Sequence, residues 1–157
     1  MLSRTIISRP GLSQVWRRCY AHPAAFPSTP FPSESDLVPG FRVGAVAAGI
    51  KKQAKDGTRP LDLAIIHSEK PTRAAGLFTT NLLQAAPIQH TRSLIDSLHG
   101  EGIEGVVINA GCANACTGSK GIEDAKTMSS LAYKAMGGKG DSAAAPFGVM
   151  STGVIGD

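Results

Sequence analysis

The sequence contains no long apolar run and few cysteines. No apolar stretch approaches the roughly 20 residues of a membrane-spanning helix, so no membrane segment is expected. The cysteines Cys19, Cys112 and Cys116 are too few for the disulfide framework of a small secreted protein. Cys112 and Cys116 have no neighbouring Cys or His pair to complete a zinc site. We therefore expect no metal and reduced, partly buried thiols.

Acidic residues are missing from the first 33 positions, where Arg4, Arg9, Arg17 and Arg18 lie. Those four arginines account for the whole net charge of +4, since the other 12 basic residues balance 12 acidic ones. A neutral folded region argues against nucleic-acid binding, which requires a basic surface.

An acid-free, arginine-bearing segment rich in Ser and apolar residues is typical of a mitochondrial presequence. We predict a presequence over residues 1–20, cleaved after Tyr20, and localisation in the mitochondrial matrix. The alternative is a disordered tail with chance arginines. Residues 21–36 are rich in Pro and Ser and indicate a linker, which leaves 37–157 as the folded domain.

Short apolar runs alternate with helical patterns in that domain, which indicates an α/β (α+β) fold. An extended segment is predicted over residues 42–50. Strands are predicted over 61–66, 74–80 and 106–109, with a polar turn over 67–73, and a strand or strand–turn over 149–155. Helices are predicted over 92–99, with Thr91 as N-cap, and over 122–136, with Glu123 and Asp124 in the first turn. Gly100 and Gly137–Gly138 are expected to end these helices.

Residues Asn109 to Gly118 have no side chain larger than Asn or Thr. Between a strand and a helix, such a run lets a ligand approach the backbone and the helix N-terminus closely. Tight packing of the helix on the sheet requires the same small residues. The residues alone favour neither interpretation.

The segment Ser151-Thr152-Gly153 offers a hydroxyl beside flexible backbone. Thr152 could be a nucleophile, a hydrogen-bond donor to an oxyanion together with a backbone N–H, or a strand residue. A nucleophile needs a base, and none is adjacent. The histidines are expected in the linker, in surface loops or at a helix end, at positions 22, 67, 90 and 99.

Five segments, in this order, resemble the N-terminal part of the ornithine acetyltransferase (glutamate N-acetyltransferase) family of arginine biosynthesis, most closely its mitochondrial fungal members. They are Phe41–Lys51, Asp62–Ala64, Phe78–Asn81 with Ala85–Pro87, Asn109–Gly118 and Ser151–Gly156. The resemblance covers about residues 37–157 and implies a layered sheet–helix sandwich.

The resemblance implies acetyl transfer from N-acetylornithine to glutamate through an acyl-threonine, with acetyl-CoA as a further donor and no cofactor. It implies a precursor that cuts itself into α and β chains, which associate. Thr152 and Gly153 inherit the oxyanion hole. The nucleophilic threonine follows an alanine in this family, and this sequence has no Ala-Thr pair. The nucleophile and the substrate-binding residues are therefore expected beyond Asp157, and the chain alone is predicted to be inactive.

Two alternatives stay open. The chain could be a non-catalytic remnant that associates with complementary chains. It could also be an amidohydrolase-like enzyme with Thr152 as nucleophile.

Overall fold

The computed structural model describes residues 38–139 and 145–156. The predicted presequence and linker lie outside these residues. The described part contains four strands and two helices, in the order β1 (Phe41–Val46), β2 (Leu63–Thr72), α1 (Ala86–Ser97), β3 (Ile103–Cys112), α2 (Gly118–Ala135) and β4 (Phe147–Val154). None of the helices described is long and apolar enough to cross a membrane.

The four strands form one sheet in the order β1-β2-β3-β4. β1 pairs antiparallel with β2, and β2 pairs antiparallel with β3. β4 pairs parallel with β3, a connection that requires a crossover, and α2 provides it. The predicted α/β (α+β) class is confirmed.

The core lies between the sheet and α2. Its buried apolar residues are Ile65, Val107, Ala132, Phe147 and Val149. In α2, Ala125, Ser129 and Ala132 are buried at spacings of four and three, which places them on one helix face. The Ser129 hydroxyl donates to the Phe147 carbonyl at 2.7 Å, which ties α2 to the start of β4.

Helix α1 begins six residues earlier than the sequence indicated, and the prediction of Thr91 as its N-cap is wrong. Pro87 lies at the first helical turn, where the missing N–H costs nothing. Thr91 lies mid-helix, where its hydroxyl accepts from the Val149 N–H at 2.9 Å and donates to the Val149 carbonyl at 2.9 Å. A helix side chain thus takes the place of a neighbouring strand at the outer edge of β4.

Two further predictions along the chain are wrong. β2 continues to Thr72 through the predicted polar turn, because antiparallel pairing continues past its apolar part: Phe41 lies opposite Ser68, and the Glu69 N–H donates to the Gly40 carbonyl at 2.8 Å. The segment 74–80 is not a strand, since it joins no ladder of the sheet, and Leu77 is fully exposed.

Helix α2 starts at Gly118, so its first turn contains no acidic residue, and the placement of Glu123 and Asp124 there is wrong. Its predicted glycine end is confirmed. Gly137 has a φ of +89°, and the N–H groups of Gly137 and Gly138 bond to the carbonyls of Lys134 and Tyr133.

The sheet face opposite the core is apolar and exposed. Residues of a strand alternate between the two faces, so neighbours of the buried Ile65, Val107 and Val149 point the other way. We call this the open face; it carries Val43, Ile66, Ile108, Met150 and Thr152. Val43, Ile66 and Met150 are exposed by 40%, 39% and 53%.

Candidate functional site at the end of β4

Thr152 and Gly153, the residues singled out by the sequence, lie together near the end of β4 and are both exposed. Thr152 is opposite Ala110 of β3, and Gly153 is opposite Gly111. Among the described residues the Thr152 hydroxyl has no hydrogen-bond partner. It is therefore available to a ligand that approaches from the open face.

Gly153 has a backbone conformation that other residues rarely adopt, with a φ of +140°. A Cβ at this position would overlap the carbonyl group of Gly111 and the Cys112 nitrogen. Gly111 has a φ of +128° and is itself covered by Ile50. Two glycines face each other across the parallel ladder, and the backbones approach closely because neither has a side chain.

The Gly153 N–H is directed to the outer edge of β4. The carbonyls of Pro146 and Val154 accept hydrogen bonds from Glu104 and Ala113 on the β3 side. The backbone groups of alternate residues in a strand point in opposite directions, and Val149 accordingly bonds outward, to Thr91. Gly153 is four residues from Val149, an even number, so its N–H points outward too. An N–H donor and a hydroxyl donor thus flank one corner of the sheet.

The run of small residues from Asn109 to Gly118 lies beside this corner and is hydrogen-bonded to it. The Ala113 N–H donates to the Val154 carbonyl at 2.8 Å, and the Gly156 N–H donates to the Ala115 carbonyl at 3.0 Å. Asn114 fixes the turn that follows, since its Nδ2 donates to the Gly121 carbonyl at 2.9 Å. The run therefore packs the N-terminus of α2 against the sheet, as the second interpretation of its small residues expects; approach of a ligand to the run stays a prediction.

Asp62 is a buried carboxylate near this corner that the sequence analysis did not treat as a site residue. Its oxygens accept from the N–H groups of Ala48 at 2.6 Å and Lys51 at 2.8 Å. Burial by itself raises the pKa of the Asp62 carboxyl, but these amides, with those of Ile50 and Gly49, outweigh it and hold the pKa below its usual value. The signal in the sequence is an acid at the start of the apolar run L-D-L-A-I-I.

Two histidines lie away from Thr152, and their predicted loop or helix-end positions are wrong. His67 lies in β2 and stacks on Phe147 with ring centroids 6.0 Å apart, and His90 lies inside α1 with Nε2 3.3 Å from the Phe147 carbonyl. Burial lowers the pKa of both rings, aided at His90 by Lys126 and at His67 by Arg42. Both contact Phe147 on the core side of the sheet, so neither is placed to act as a base for Thr152.

Of the described cysteines, Cys112 and Cys116 do not form a disulfide with each other. Cys112 is half-buried and Cys116 is exposed, which corrects the expectation that both thiols are partly buried. Within residues 38–139 and 145–156, no group of three or more His, Cys, Asp or Glu side chains could hold a metal ion.

Comparison with known proteins assigns the chain and its fold to a family. The model of the ArgJ family matches residues 42–157, which include every strand and helix described except the first residue of β1. The chain belongs to the ArgJ family. The resemblance drawn from the five sequence segments is thereby confirmed.

Relatives in the family include mitochondrial proteins of fungi. The chain is 48% identical over 130 residues to the mitochondrial arginine biosynthesis bifunctional protein ArgJ of Uncinocarpus reesii, and 46% identical over 125 residues to that of Yarrowia lipolytica. Each match covers 80% of this chain but only 27% and 28% of the relative. The predicted mitochondrial localisation is confirmed; the chain spans little more than a quarter of the length of these ArgJ proteins.

Solved structures of the family share the fold. The arginine biosynthesis bifunctional protein ArgJ of Bacillus halodurans superposes with a TM-score of 0.64 at 33% identity, covering 76% of this chain and 56% of that one. The ornithine acetyltransferase of Mycobacterium tuberculosis, solved with ornithine, gives 0.61 at 39% identity, covering 76% and 58%. The four-stranded sheet with its two helices is thus an ArgJ fold.

Proposed function

We propose that this chain provides the oxyanion-binding part of an ArgJ enzyme that transfers an acetyl group from N-acetylornithine to glutamate in the mitochondrial matrix. The observation that carries the proposal is the pair of donors at the end of β4. The Thr152 hydroxyl has no partner among the described residues, and the Gly153 N–H points to the same corner. Donors fixed in place before the reaction are what an acyl-transfer transition state requires.

The chemistry follows from those two donors. A threonine hydroxyl of the complementary polypeptide attacks the acetyl carbonyl carbon, its proton passes to a base, and the carbonyl oxygen becomes an oxyanion held by Thr152 and Gly153. Collapse breaks the C–N bond, and ornithine leaves with a proton on its amine. The amine of glutamate then attacks the acyl-threonine through a second oxyanion at the same place. We propose acetyl-CoA as a further donor, and no cofactor is needed for either step.

The open face supports a complementary polypeptide as the source of the nucleophile. Thr152 lies on that face beside exposed apolar side chains, so a polypeptide covering the face would also reach the hydroxyl. The loop after β2 exposes Leu77 by 105%, Leu82 by 98% and Leu83 by 82%. Leu82 and Leu83 lie beside the N-terminal ends of the two helices, so they form a second exposed apolar region, and large exposed apolar regions are typical of protein interfaces. We propose that the partner is the β chain of the same precursor, released by self-cleavage.

The test is to co-express this chain with the part of the Yarrowia lipolytica ArgJ protein that follows the matched region. Ornithine release from N-acetylornithine, with glutamate present, is then measured. Thr152→Ala is expected to lower kcat about 100- to 1,000-fold, the usual effect of removing one oxyanion donor. Thr127→Ala, on the exposed side of α2, is the matched control and should leave kcat unchanged.

The chain expressed alone should release no ornithine. Full activity of the chain alone, or of the Thr152→Ala complex, would overturn the proposal. Co-purification without any acetyl transfer would favour the alternative of a non-catalytic remnant that associates with complementary chains.

An amidohydrolase with Thr152 as nucleophile is less well supported. It needs a base beside the hydroxyl, and His67 and His90 lie on the core side of the sheet. Intact-mass measurement separates the two functions: acylation of Thr152, or cleavage before it, would favour the amidohydrolase.

A further inference from the structure

Asp62 organises the loop between β1 and β2 around its carboxylate. The carboxylate receives the Ala48 and Lys51 N–H groups, and Gly49 between them has a φ of +88°. Asp62 is 3% exposed, so these amides replace the water that a carboxylate otherwise binds. Its own backbone is fixed as well: its N–H donates to Val46 at 3.0 Å, and its carbonyl accepts from Ala110 at 2.8 Å.

The loop held in this way rests on the glycine pair of the candidate site. Ile50 lies between the two amides bound by Asp62, and it covers Gly111: a Cβ on Gly111 would be 2.9 Å from Ile50 Cγ2 and 3.3 Å from the Ile50 carbonyl oxygen. Gly111 in turn lies directly against Gly153, where no Cβ fits. Ile50, Gly111 and Gly153 are therefore packed in series without a gap.

We propose that Asp62 is a positioning residue for the oxyanion site, acting through Ile50 and Gly111 on the backbone of Gly153. This inference rests on the proposed function of Thr152 and Gly153. Gly153 lacks side-chain contacts of its own, so its orientation depends on the backbone packed beside it. With Asp62 in place, Ile50 packs against Gly111 and so keeps the Gly153 N–H directed at the corner. Catalysis is sensitive to such placement, because a shift of about 1 Å can cost 100-fold in rate.

The structural half of the test uses the full 157-residue chain and two-dimensional amide NMR with hydrogen exchange. Asp62→Asn should shift the Gly153 amide resonance. It should also speed exchange of the Ala113 amide, which bonds to Val154 next to the site, about tenfold, as expected for local opening. Asp56→Asn is the matched control: this exposed carboxylate bonds only within its own turn, to Thr58, and should change neither signal.

A second variant keeps the inference testable if Asp62→Asn does not fold. Ile50→Ala removes the side-chain contact with Gly111 but leaves the Ile50 backbone, the carboxylate and its amides, so Gly153 and Ala113 should respond, less strongly than in Asp62→Asn, while Ala48 and Lys51 stay protected. If Asp62→Asn releases Ala48 and Lys51 with no change at Gly153, Asp62 merely holds its loop and the inference is wrong. An unchanged Gly153 in Ile50→Ala would overturn it as well.

The catalytic half uses the co-expressed complex described above. Asp62→Asn should lower kcat about 10- to 100-fold and change KM for N-acetylornithine less than about twofold, because donors to the transition state are displaced. If Thr152→Ala lowers kcat and Asp62→Asn does not, the positioning role fails and the proposed function stands. If Thr152→Ala leaves kcat intact, the proposed function fails, and the NMR result alone then reports on the packing.

Discussion

Replacing Gly153 with alanine is expected to disrupt the pairing of the end of β4 with β3. Two costs add. The first is conformational: with a φ of +140°, a non-glycine residue is held in a region that costs about 1–3 kcal/mol. The second is steric, because the new Cβ overlaps the Gly111 carbonyl group and the Cys112 nitrogen. These are backbone atoms, so no side-chain rotation relieves the overlap.

The strands must therefore separate locally. The hydrogen bond from the Ala113 N–H to the Val154 carbonyl, 2.8 Å long, is then strained or lost, which costs about 0.5–1.5 kcal/mol. Together the two effects amount to about 1.5–4.5 kcal/mol of unfolding free energy. Urea denaturation of the full chain measures this loss as a lower midpoint, and hydrogen exchange at Ala113 shows whether it is local.

Two matched glycines separate the two costs. Gly156→Ala, three residues further on, introduces the conformational cost alone, because its φ is +80° and nothing lies within 4 Å of the new Cβ. Gly111→Ala should fall between the two, since its Cβ would be 2.9 Å from Ile50 Cγ2, whereas a Cβ at Gly153 meets the Gly111 backbone even more closely. The expected order of destabilisation is Gly153, then Gly111, then Gly156. Equal effects of Gly153→Ala and Gly156→Ala would refute the reasoning about close backbone approach.

Two other predictions concern the packing of α1 on β4. Thr91→Val should destabilise the chain by about 2–4 kcal/mol in urea denaturation, since the Val149 N–H and carbonyl both lose their partner. The control Thr127→Val should lower stability little, and equal effects of the two variants would contradict the role of Thr91. Burial lowers the pKa of His90, so the ring binds a proton more readily in the unfolded chain. The stability that neutral His90 contributes is therefore present above pH 6.5, and it is lost as the pH falls from that value towards the folded pKa. The urea midpoint of the wild-type chain should therefore drop between pH 7.5 and pH 5, and His90→Gln should reduce that drop; an unchanged pH dependence would show that His90 does not carry it.

Much of the chain's architecture could be predicted because periodicity and glycine placement are local signals. The apolar runs in β3 and β4 were found in the right places, and the glycines after α1 and α2 end those helices as expected. The ends of the elements were missed where tertiary pairing decides them. β2 continues into polar sequence because β1 and Gly40 supply hydrogen bonds, and the segment 74–80 has strand-forming residues but no strand beside it.

In the candidate site, too, local sequence predicted some residues, and only the tertiary structure showed their contacts. Thr152 and Gly153 were identified from a hydroxyl beside a glycine and from the family resemblance, both of which are properties of the sequence. Their partners were not identified, because Gly111 and Ile50 are distant in sequence and meet Gly153 only through the parallel pairing of β3 with β4. Thr91 was taken for a helix cap because a threonine before a short amphipathic stretch is a local capping signal, whereas its actual partner is Val149.

The sequence by itself determined the class of fold, the family and the residues that carry the proposed chemistry, because composition, periodicity and short segments encode these directly. The tertiary structure alone decided where those residues face. The alternation of β4 directs Thr152 to the open face, and the contacts of His67 and His90 with Phe147 lie on the other side. Asp62 holds the loop that covers Gly111 through hydrogen bonds from the Ala48 and Lys51 amides. Such relations depend on strand register and on buried hydrogen bonds between distant segments, which no local pattern specifies.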